Sequence, residues 1–155
     1  MHDAEPNAAY GRAVTLTEGP FAGWTTWSAG ADPYETLVGP FCFRVTESGE
    51  ALSAFAPEPR HLNGGGAIHG GALMSFADFA LFSIAHVVLK GDVNAVTLTL
   101  NGEFVAAGDL SAHVEARGEV IRETGSLVFA RGLITQSERV LLAFSGTLKK
   151  LKRAG

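Results

Sequence analysis

Apolar and polar residues alternate along one part of the last third of the chain. The apolar positions of this stretch are Leu110, Ala112, Val114, Ala116 and Val120. The positions between them are mostly polar or charged: Ser111, His113, Glu115, Arg117 and Glu119. A period of two is typical of a strand with one buried face, so the pattern predicts a strand over 110–120.

Three more segments of the last third resemble strands, at 94–104, 126–135 and 139–148. Turn-forming residues at 122–125 and 136–138 separate the later ones. Short turns join antiparallel neighbours, whereas parallel neighbours need long crossovers. We therefore expect these four strands to form an antiparallel meander.

Two shorter strands are predicted earlier, at 41–45 and 51–56, with the turn-rich tetrapeptide 47–50 between them. The first forty residues give a weaker pattern, because Gly-Pro and Asp-Pro pairs interrupt their short apolar pieces. Trp24 and Trp27 fit one face of a helix, and the segment that contains them also fits a short strand. Both alternatives stay open at the level of sequence.

The segment 72–89, between the two groups of strands, predicts a helix that is apolar nearly all round. Its apolar residues recur every three or four positions: Leu73, Phe76, Ala77, Ala80, Ile84 and Val87. Phe79, Phe82 and Val88 cover much of the remaining helix surface. A helix of this kind must be enclosed on most sides, and the predicted strands are the elements that can enclose it.

These elements predict an α+β fold in which two strands, one long central helix and four further strands follow each other. A doubly wound parallel sheet is excluded, since each parallel crossover needs its own helix. The length of 155 residues suits one domain. We expect a single domain over 1–155, with a core at about 41–148 and an amino-terminal extension at 1–40.

Composition adds an expectation about assembly and partners. Hydrophobic residues make up 46% of the chain, charged residues make up 18%, and the mean hydropathy is +0.18. This balance favours an oligomer that buries part of the apolar surface. The formal net charge of −4 supplies no basic field for nucleic acid.

The sequence favours a cytoplasmic protein without a membrane span. One cysteine, Cys42, makes no internal disulfide and fits no familiar zinc or redox spacing. Residues 1–12 lack the apolar core of a signal peptide. The segment 67–89 is long enough to span a bilayer but contains Asp78, and a carboxylate near mid-bilayer costs about 2.5–3.5 kcal/mol.

Candidate chemistry is concentrated at the start of the predicted helix. The chain contains no G-x-S-x-G elbow, phosphate loop, H-E-x-x-H or G-x-G-x-x-G. Asn63, the tripeptide 69–71 (His-Gly-Gly) and Asp78 remain, and Asp78 is the sole carboxylate between residues 70 and 89. Taken singly, each has a structural explanation: a loop residue, a tight helix entry or an acid at the helix edge.

Together these residues favour catalysis. N–H groups at a helix start carry partial positive charge and suit a developing oxyanion. An acid in an apolar setting is able to attack a carbonyl or to deprotonate water. At 1.5 Å per residue, Gly71 and Asp78 lie about 10 Å apart, too far to act on one carbonyl. We therefore expect a second subunit to bring its own Asp78 to this Gly71.

The run from Asn63 to Asp78 resembles the signature of hotdog-fold acyl-CoA thioesterases of the phenylacetate-pathway, or PaaI-like, branch. In that signature an asparagine precedes the histidine of His-Gly-Gly by six residues and an acid follows it by nine. Asn63, His69 and Asp78 have this spacing. The order of predicted elements from 41 to 148 also matches the hotdog fold, in which a sheet wraps one long helix. The resemblance covers about residues 40–150.

The resemblance implies a role for each matched residue. Gly71 is expected to supply the backbone N–H that polarises the thioester carbonyl. Asp78 of the facing subunit is expected to be the nucleophile or general base, and Asn63 to orient water or the carbonyl. His69 is expected to hold the loop and assist, and Thr97, on the strand after the helix, to position water.

The implied function is hydrolysis of an acyl-CoA, a small-molecule partner, by a homodimer or a dimer of dimers with no cofactor and no metal. One alternative is a non-catalytic acyl-CoA-binding protein, which the presence of both Asp78 and Asn63 argues against. The other is a hotdog hydratase or dehydratase, whose different spacing of aspartate and histidine is not found in this chain. The acyl group itself is not identified by the sequence.

Overall fold

The computed structural model describes residues 13–27, 32–89 and 94–151. In chain order its elements are β1 (Val14–Thr15), β2 (Thr25–Thr26), α1 (Pro33–Val38), β3 (Cys42–Val45), β4 (Ala51–Phe55), α2 (Gly70–Ala85), β5 (Ala95–Phe104), β6 (Val114–Glu123), β7 (Leu127–Gln136) and β8 (Arg139–Lys150). A 3-10 turn, Pro59–His61, lies between β4 and α2. The predicted α+β fold, with one long helix against an antiparallel sheet, is confirmed.

All eight of these strands join one antiparallel sheet in the order β1-β2-β3-β4-β6-β7-β8-β5. The strands β6, β7 and β8 follow each other through short turns, as predicted. The first strand of the expected meander is wrongly placed, because β5 pairs with β8 at the end of the sheet and β6 pairs with β4. The connection 105–113 is long enough to carry the chain from one side of the sheet to the other.

The start of β6 also differs from the prediction, since the strand begins at Val114 and not at residue 110. The buried side chain of Gln136 accepts a hydrogen bond from the Asp109 N–H and donates to the carbonyls of Asp109 and Ala112. These bonds hold the backbone before β6 in a loop and leave Leu110 41% exposed. Satisfying a buried amide outweighs the local alternation of apolar residues.

The helix α2 lies against the sheet and is largely buried, as its composition predicts. Its buried residues are Leu73, Phe76, Ala77, Phe79, Ala80, Leu81, Ser83, Ile84 and Ala85. The helix begins two residues before the predicted start and ends at Ala85, four residues before the predicted end. The β-branched pair Val87 and Val88 follows in a turn, where a restricted side chain is less costly than in a helix.

Two glycines let α2 approach the sheet closely. A Cβ atom on Gly118 of β6 would lie 2.5 Å from Cδ1 of Ile84, and one on Gly146 of β8 would lie 2.4 Å from Cδ1 of Leu81. Both distances are shorter than side-chain atoms tolerate. The absence of a side chain at these strand positions therefore sets how deeply the helix sits against the sheet.

The amino-terminal segment extends the sheet beyond β3. The strands β1 and β2 pair with each other, and Thr25 of β2 pairs with Phe43 of β3. For the segment 21–27 the structure thus favours the strand alternative, over Thr25–Thr26, and Trp27 stacks on Phe43 at a ring distance of 4.8 Å. The parts of the expected extension at 1–12 and 28–31 lie outside the described residues.

The two ends of the sheet differ in how they are covered. The β1–β2 hairpin lies beyond β3, whereas no strand among the described residues lies beyond the ten-residue β5. Leu98, Phe104 and Val105, on or just after β5, are 53%, 57% and 60% exposed. The end of the sheet at β5 is therefore a long edge with exposed apolar side chains.

The sequence argues against a disulfide or redox function for Cys42 and against a membrane span for the helices, and the structure bears on both. Cys42 is a free, buried cysteine, and burial raises the pKa of its thiol to about 12, which makes it unreactive. Among the helices that the structure describes, none combines the length and the apolar character needed to cross a bilayer.

Candidate active site

Asp78 and Thr97 meet between α2 and β5. Oγ1 of Thr97 donates a hydrogen bond of 2.7 Å to Oδ1 of Asp78. Asp78 lies in the middle of α2 and is half-buried, while Thr97 lies at the bulge where the pairing of β5 with β8 shifts. The structure thus places Thr97 in contact with the acid, and its expected role of positioning water stays a prediction.

The surroundings of Asp78 favour its protonated form more than water does. Burial raises the pKa of the Asp78 carboxyl, the hydrogen bond from Thr97 lowers it, and the nearby Asp32 carboxylate raises it; the net direction is upward. A carboxyl with a raised pKa is a stronger base once it is ionised, which suits removal of a proton from water. Oδ2 of Asp78 accepts no hydrogen bond from the described residues.

His69 and Gly71 interact directly at the start of α2. His69 is the N-cap residue, and its Nδ1 accepts a hydrogen bond of 2.8 Å from the Gly71 N–H. An accepting Nδ1 carries no proton, so a neutral His69 ring carries its proton on Nε2. A Cβ on Gly71 would lie 3.0 Å from Nδ1, so the glycine gives the ring room to cap the helix.

The neighbouring glycine has a different reason to lack a side chain. A Cβ on Gly70 would lie 3.1 Å from the ring of Phe104, at the end of β5. The Phe104 ring is itself 57% exposed, so it covers Gly70 on one side and faces solvent on the other. The two glycines of the His-Gly-Gly motif thus fit the histidine and the end of β5, respectively.

Asn63 organises the loop before α2. Its side-chain oxygen accepts hydrogen bonds from the N–H groups of Gly65 and Ala67 at 2.9 and 3.2 Å. The described hydrogen bonds include none from the Asn63 side chain to His69 or Asp78. The structure therefore brings the predicted site residues together as two contacting pairs, with Asn63 placed separately in its loop.

Gly71, Ser75 and Asp78 form one face of α2, which we call the reactive stripe. Their spacing of four and three residues puts them on the same side of the helix. Gly71 is exposed and the other two are half-buried, whereas nine residues of α2 are buried. Gly71 and Asp78 lie about 10 Å apart along the helix axis, since seven residues separate them at 1.5 Å each.

Sequence reasoning missed two residues at this stripe. Ser75 donates a hydrogen bond of 2.8 Å to the carbonyl of Gly71, and its Oγ also lies 2.7 Å from the hydroxyl of Tyr34 in α1. Helical spacing from Gly71 and Asp78 was a signal that pointed to Ser75. No signal in the sequence pointed to Tyr34, which is 41 positions away along the chain.

The described residues offer a base and hydrogen-bond donors for hydrolysis of an activated carbonyl. Among them, no group of three or more His, Cys, Asp or Glu is arranged to hold a metal ion. The chemistry open to these side chains is attack on an ester or thioester, with Asp78 as the acid and the first turn of α2 as the donor for an oxyanion.

Comparisons with known proteins agree with this chemistry. The family model described as the thioesterase superfamily matches residues 65–143. A candidate esterase of Pseudomonas aeruginosa is 26% identical over 116 residues, which is 75% of this chain and 87% of that protein.

Solved structures show the same fold. A mutant of the phenylacetic acid degradation protein PaaI from Thermus thermophilus is 24% identical, with a TM-score of 0.66, and the match covers 77% of this chain and 100% of that one. A Bacillus halodurans protein crystallised with CoA is 19% identical, with a TM-score of 0.66, and the match covers 71% of this chain and 73% of that one.

Proposed function

The chain belongs to the thioesterase superfamily, and we propose that it hydrolyses an acyl-CoA thioester to a free acid and CoA. The hydrogen-bonded pair of Asp78 and Thr97, on a helix that begins with His-Gly-Gly, is the observation that carries the proposal. The CoA bound to the Bacillus halodurans structure supports CoA as the thiol part of the substrate.

In the proposed reaction Asp78 acts on the thioester carbon directly or through water. Thr97 holds Oδ1, so Oδ2 is the oxygen that accepts a proton from water or attacks the carbon. A C–O bond forms, the C–S bond breaks, and the CoA thiolate leaves and is protonated by solvent. Direct attack gives a mixed anhydride of the acyl group and Asp78, which water then hydrolyses. Label from H₂¹⁸O found in the Asp78 carboxylate after a single turnover identifies this route, because in the base route the labelled oxygen goes only to the free acid.

The oxyanion that develops on the thioester oxygen needs a hydrogen-bond donor. We assign this role to the Gly71 N–H, which donates its hydrogen bond to Nδ1 of His69 in this structure. Because His69 is exposed, we expect its ring to turn away and release this N–H when the carbonyl arrives. Asn63 keeps its side-chain NH₂ group for the same oxygen or for the attacking water, while its own oxygen holds the loop.

We further propose that each site uses Asp78 of one subunit and Gly71 of another. The separation of about 10 Å along α2 supports a shared site. The open edge of β5, with Leu98 and Phe104 exposed, is the surface that we assign to the homodimer. Thr97 lies on this strand, so pairing there would bring the second subunit to Asp78. Pairs of such dimers would give the dimer of dimers.

The activity is tested with a panel of short, long and aromatic acyl-CoA substrates, with release of free thiol as the readout. We expect Asp78→Asn to lower hydrolysis by at least about 10², the usual effect of losing a positioned base. Asp109→Asn is the matched control, because Asp109 is an exposed aspartate whose carboxylate is bound to Ser111. Wild-type turnover in the Asp78 variant, or binding of acyl-CoA without hydrolysis by the wild type, would refute the proposal.

The shared site is tested by mixing two inactive variants, Asp78→Asn and Gly71→Val. A heterodimer of these chains has one site with Asp78 and Gly71 both intact, provided that they come from different subunits. We therefore expect activity to return when the two proteins are unfolded and refolded together. No recovery, in a sample shown to contain heterodimers, would mean that both residues act within one subunit.

A further inference from the structure

The helix α1 lies beside the reactive stripe, in a part of the chain outside the segment that matches the thioesterase family model. At its start, Asp32 is close enough to Asp78 for its charge to act on that carboxylate. Two residues further on, the hydroxyl of Tyr34 lies 2.7 Å from Oγ of Ser75. The start of α1 therefore lies beside both Ser75 and Asp78 of the stripe.

The other end of α1 is fixed to the loop that leads into α2. The carbonyl of Val38 accepts a hydrogen bond of 2.7 Å from Nε2 of the buried His61, whose Nδ1 accepts a hydrogen bond from a backbone N–H. The carbonyl of His61 in turn accepts a hydrogen bond of 2.7 Å from the N–H of His69. Consequently α1 extends from the acid towards the His-Gly-Gly end of α2.

The direction of the bond between Tyr34 and Ser75 follows from counting protons. The Ser75 hydroxyl has one proton, which it donates to the carbonyl of Gly71. Tyr34 must therefore donate its own proton to Ser75 Oγ. The phenol ring is held over the stripe by a bond to a residue that is itself fixed to the first turn of α2.

The side chains that α1 presents at this position are apolar and exposed. Tyr34 is 59% exposed and Leu37 is 71% exposed, and their spacing of three residues puts them on one face of α1. We propose that Tyr34 is a specificity-determining residue whose ring stands beside the reacting carbonyl and limits the size of the acyl group. The inference rests on the proposed thioesterase function. It assigns the acyl group of the substrate to the apolar face of α1 that Tyr34 and Leu37 form.

The charge of α1 narrows the class of acyl group further. Asp32 caps α1 and Glu35 lies in its first turn, whereas the cation bound to this helix, Arg60, contacts the Leu37 carbonyl at its other end. An acyl group with a carboxylate at its far end would be repelled by these acids and by Asp78. The favoured substrates are therefore acyl-CoA molecules with a neutral, apolar acyl group.

The test compares kcat/KM for butyryl-CoA, phenylacetyl-CoA and dodecanoyl-CoA in the wild type, Tyr34→Ala and Tyr34→Phe. We expect Tyr34→Ala to raise the ratio of dodecanoyl-CoA to butyryl-CoA by about tenfold, since it removes a ring from the wall of the site. Tyr34→Phe keeps the ring and is expected to keep the ratio within about threefold of wild type. A loss that is equal for all three substrates would show a purely structural role and overturn the inference.

Leucine variants supply a matched control. Leu37→Ala is expected to shift the same ratio in the same direction as Tyr34→Ala, because Leu37 shares its face of α1. Leu133→Ala is expected to leave the ratio unchanged. Leu133 is also an exposed leucine, but it lies on β7. A Cβ built on its neighbour Gly132 would meet the Phe144 ring, and successive strand residues point to opposite faces, so Leu133 points away from that ring. A shift with Leu133→Ala, or none with Leu37→Ala, would contradict the assignment of this face.

The charge argument has its own comparison, between succinyl-CoA and butyryl-CoA. Asp32→Asn keeps a residue able to cap α1 and removes the charge. We expect this variant to raise kcat/KM for succinyl-CoA relative to butyryl-CoA. Failure of the wild type to hydrolyse any acyl-CoA would overturn the proposed function and this inference together. Unchanged substrate ratios in active Tyr34 variants would overturn the inference alone.

Discussion

Thr97 donates its hydroxyl proton to Oδ1 of Asp78 across the gap between β5 and α2, at 2.7 Å. The two residues are 19 positions apart along the chain. The bond fixes one oxygen of the carboxylate, and it opposes the upward shift that burial imposes on the pKa of Asp78. We therefore expect Thr97 to set both the orientation of the acid and the pH range in which it is ionised.

Replacing Thr97 with valine is expected to move the acid limb of the pH–rate profile to higher pH. The variant keeps the side-chain shape but loses the hydrogen bond that lowers the pKa of Asp78, so ionisation of the base requires a higher pH. Thr97→Ser retains a donor and is expected to keep the wild-type profile. The measurement is kcat/KM from pH 4.5 to 9, and coincident profiles for valine and serine would exclude this role of Thr97.

Removing the charge of Asp32 is expected to have the opposite effect on the same profile. The Asp32 carboxylate contributes to the raised pKa of Asp78, so Asp32→Asn should shift the acid limb to lower pH. Exposed charges are screened over about 8–10 Å at physiological ionic strength, so the shift should shrink in high salt. A limb that moves to higher pH would show that Asp32 does not act through its charge.

Asp78→Asn is expected to stabilise the folded protein while it removes activity. The folded-state pKa of Asp78 is raised above its unfolded value of about 3.9, so wild-type stability falls as the pH rises through the folded pKa. The asparagine variant does not lose stability in this way, because its side chain does not ionise. Its advantage in the free energy of unfolding should be absent near pH 4 and should grow with pH until Asp78 of the wild type is fully ionised.

Asp109→Asn provides the control of opposite sign for this stability measurement. Hydrogen bonds from Ser111 lower the pKa of Asp109, so its carboxylate stabilises the fold above the unfolded pKa and the contribution is lost as the pH falls. This variant should gain no stability at neutral pH. Urea unfolding of both variants and the wild type between pH 4 and 8 measures how the free energy of unfolding of each variant, relative to wild type, changes with pH.

Gly118→Ala is expected to destabilise the protein by about 1–3 kcal/mol, the usual cost of overpacking. The added Cβ would lie 2.1 Å from the carbonyl oxygen of Arg131 and 2.5 Å from Cδ1 of Ile84, so helix and sheet would have to separate. Gly125→Ala is the control, because no atom lies within 4 Å of a Cβ at that turn. Equal midpoints of urea unfolding for the two variants would contradict this account of the packing.

The sequence by itself determined the elements whose signal is local. An apolar helix repeats every three or four residues and a half-buried strand every two, and these periods predicted α2 and the strands β3 to β8. The spacing of Asn63, His69 and Asp78 likewise predicted the family, because a motif within one loop and one helix is read along the chain. The roles assigned to these residues remain predictions.

Tertiary structure decided the features that depend on contacts between residues far apart along the chain. The position of β5 beside β8 follows from hydrogen bonds between separate strands, and the late start of β6 follows from the side chain of Gln136. The contact of Tyr34 with Ser75 joins α1 to α2 across residues whose spacing carries no periodic signal. Local periodicity records which face of an element is buried, but the identity of the element that covers that face is set only when the chain folds.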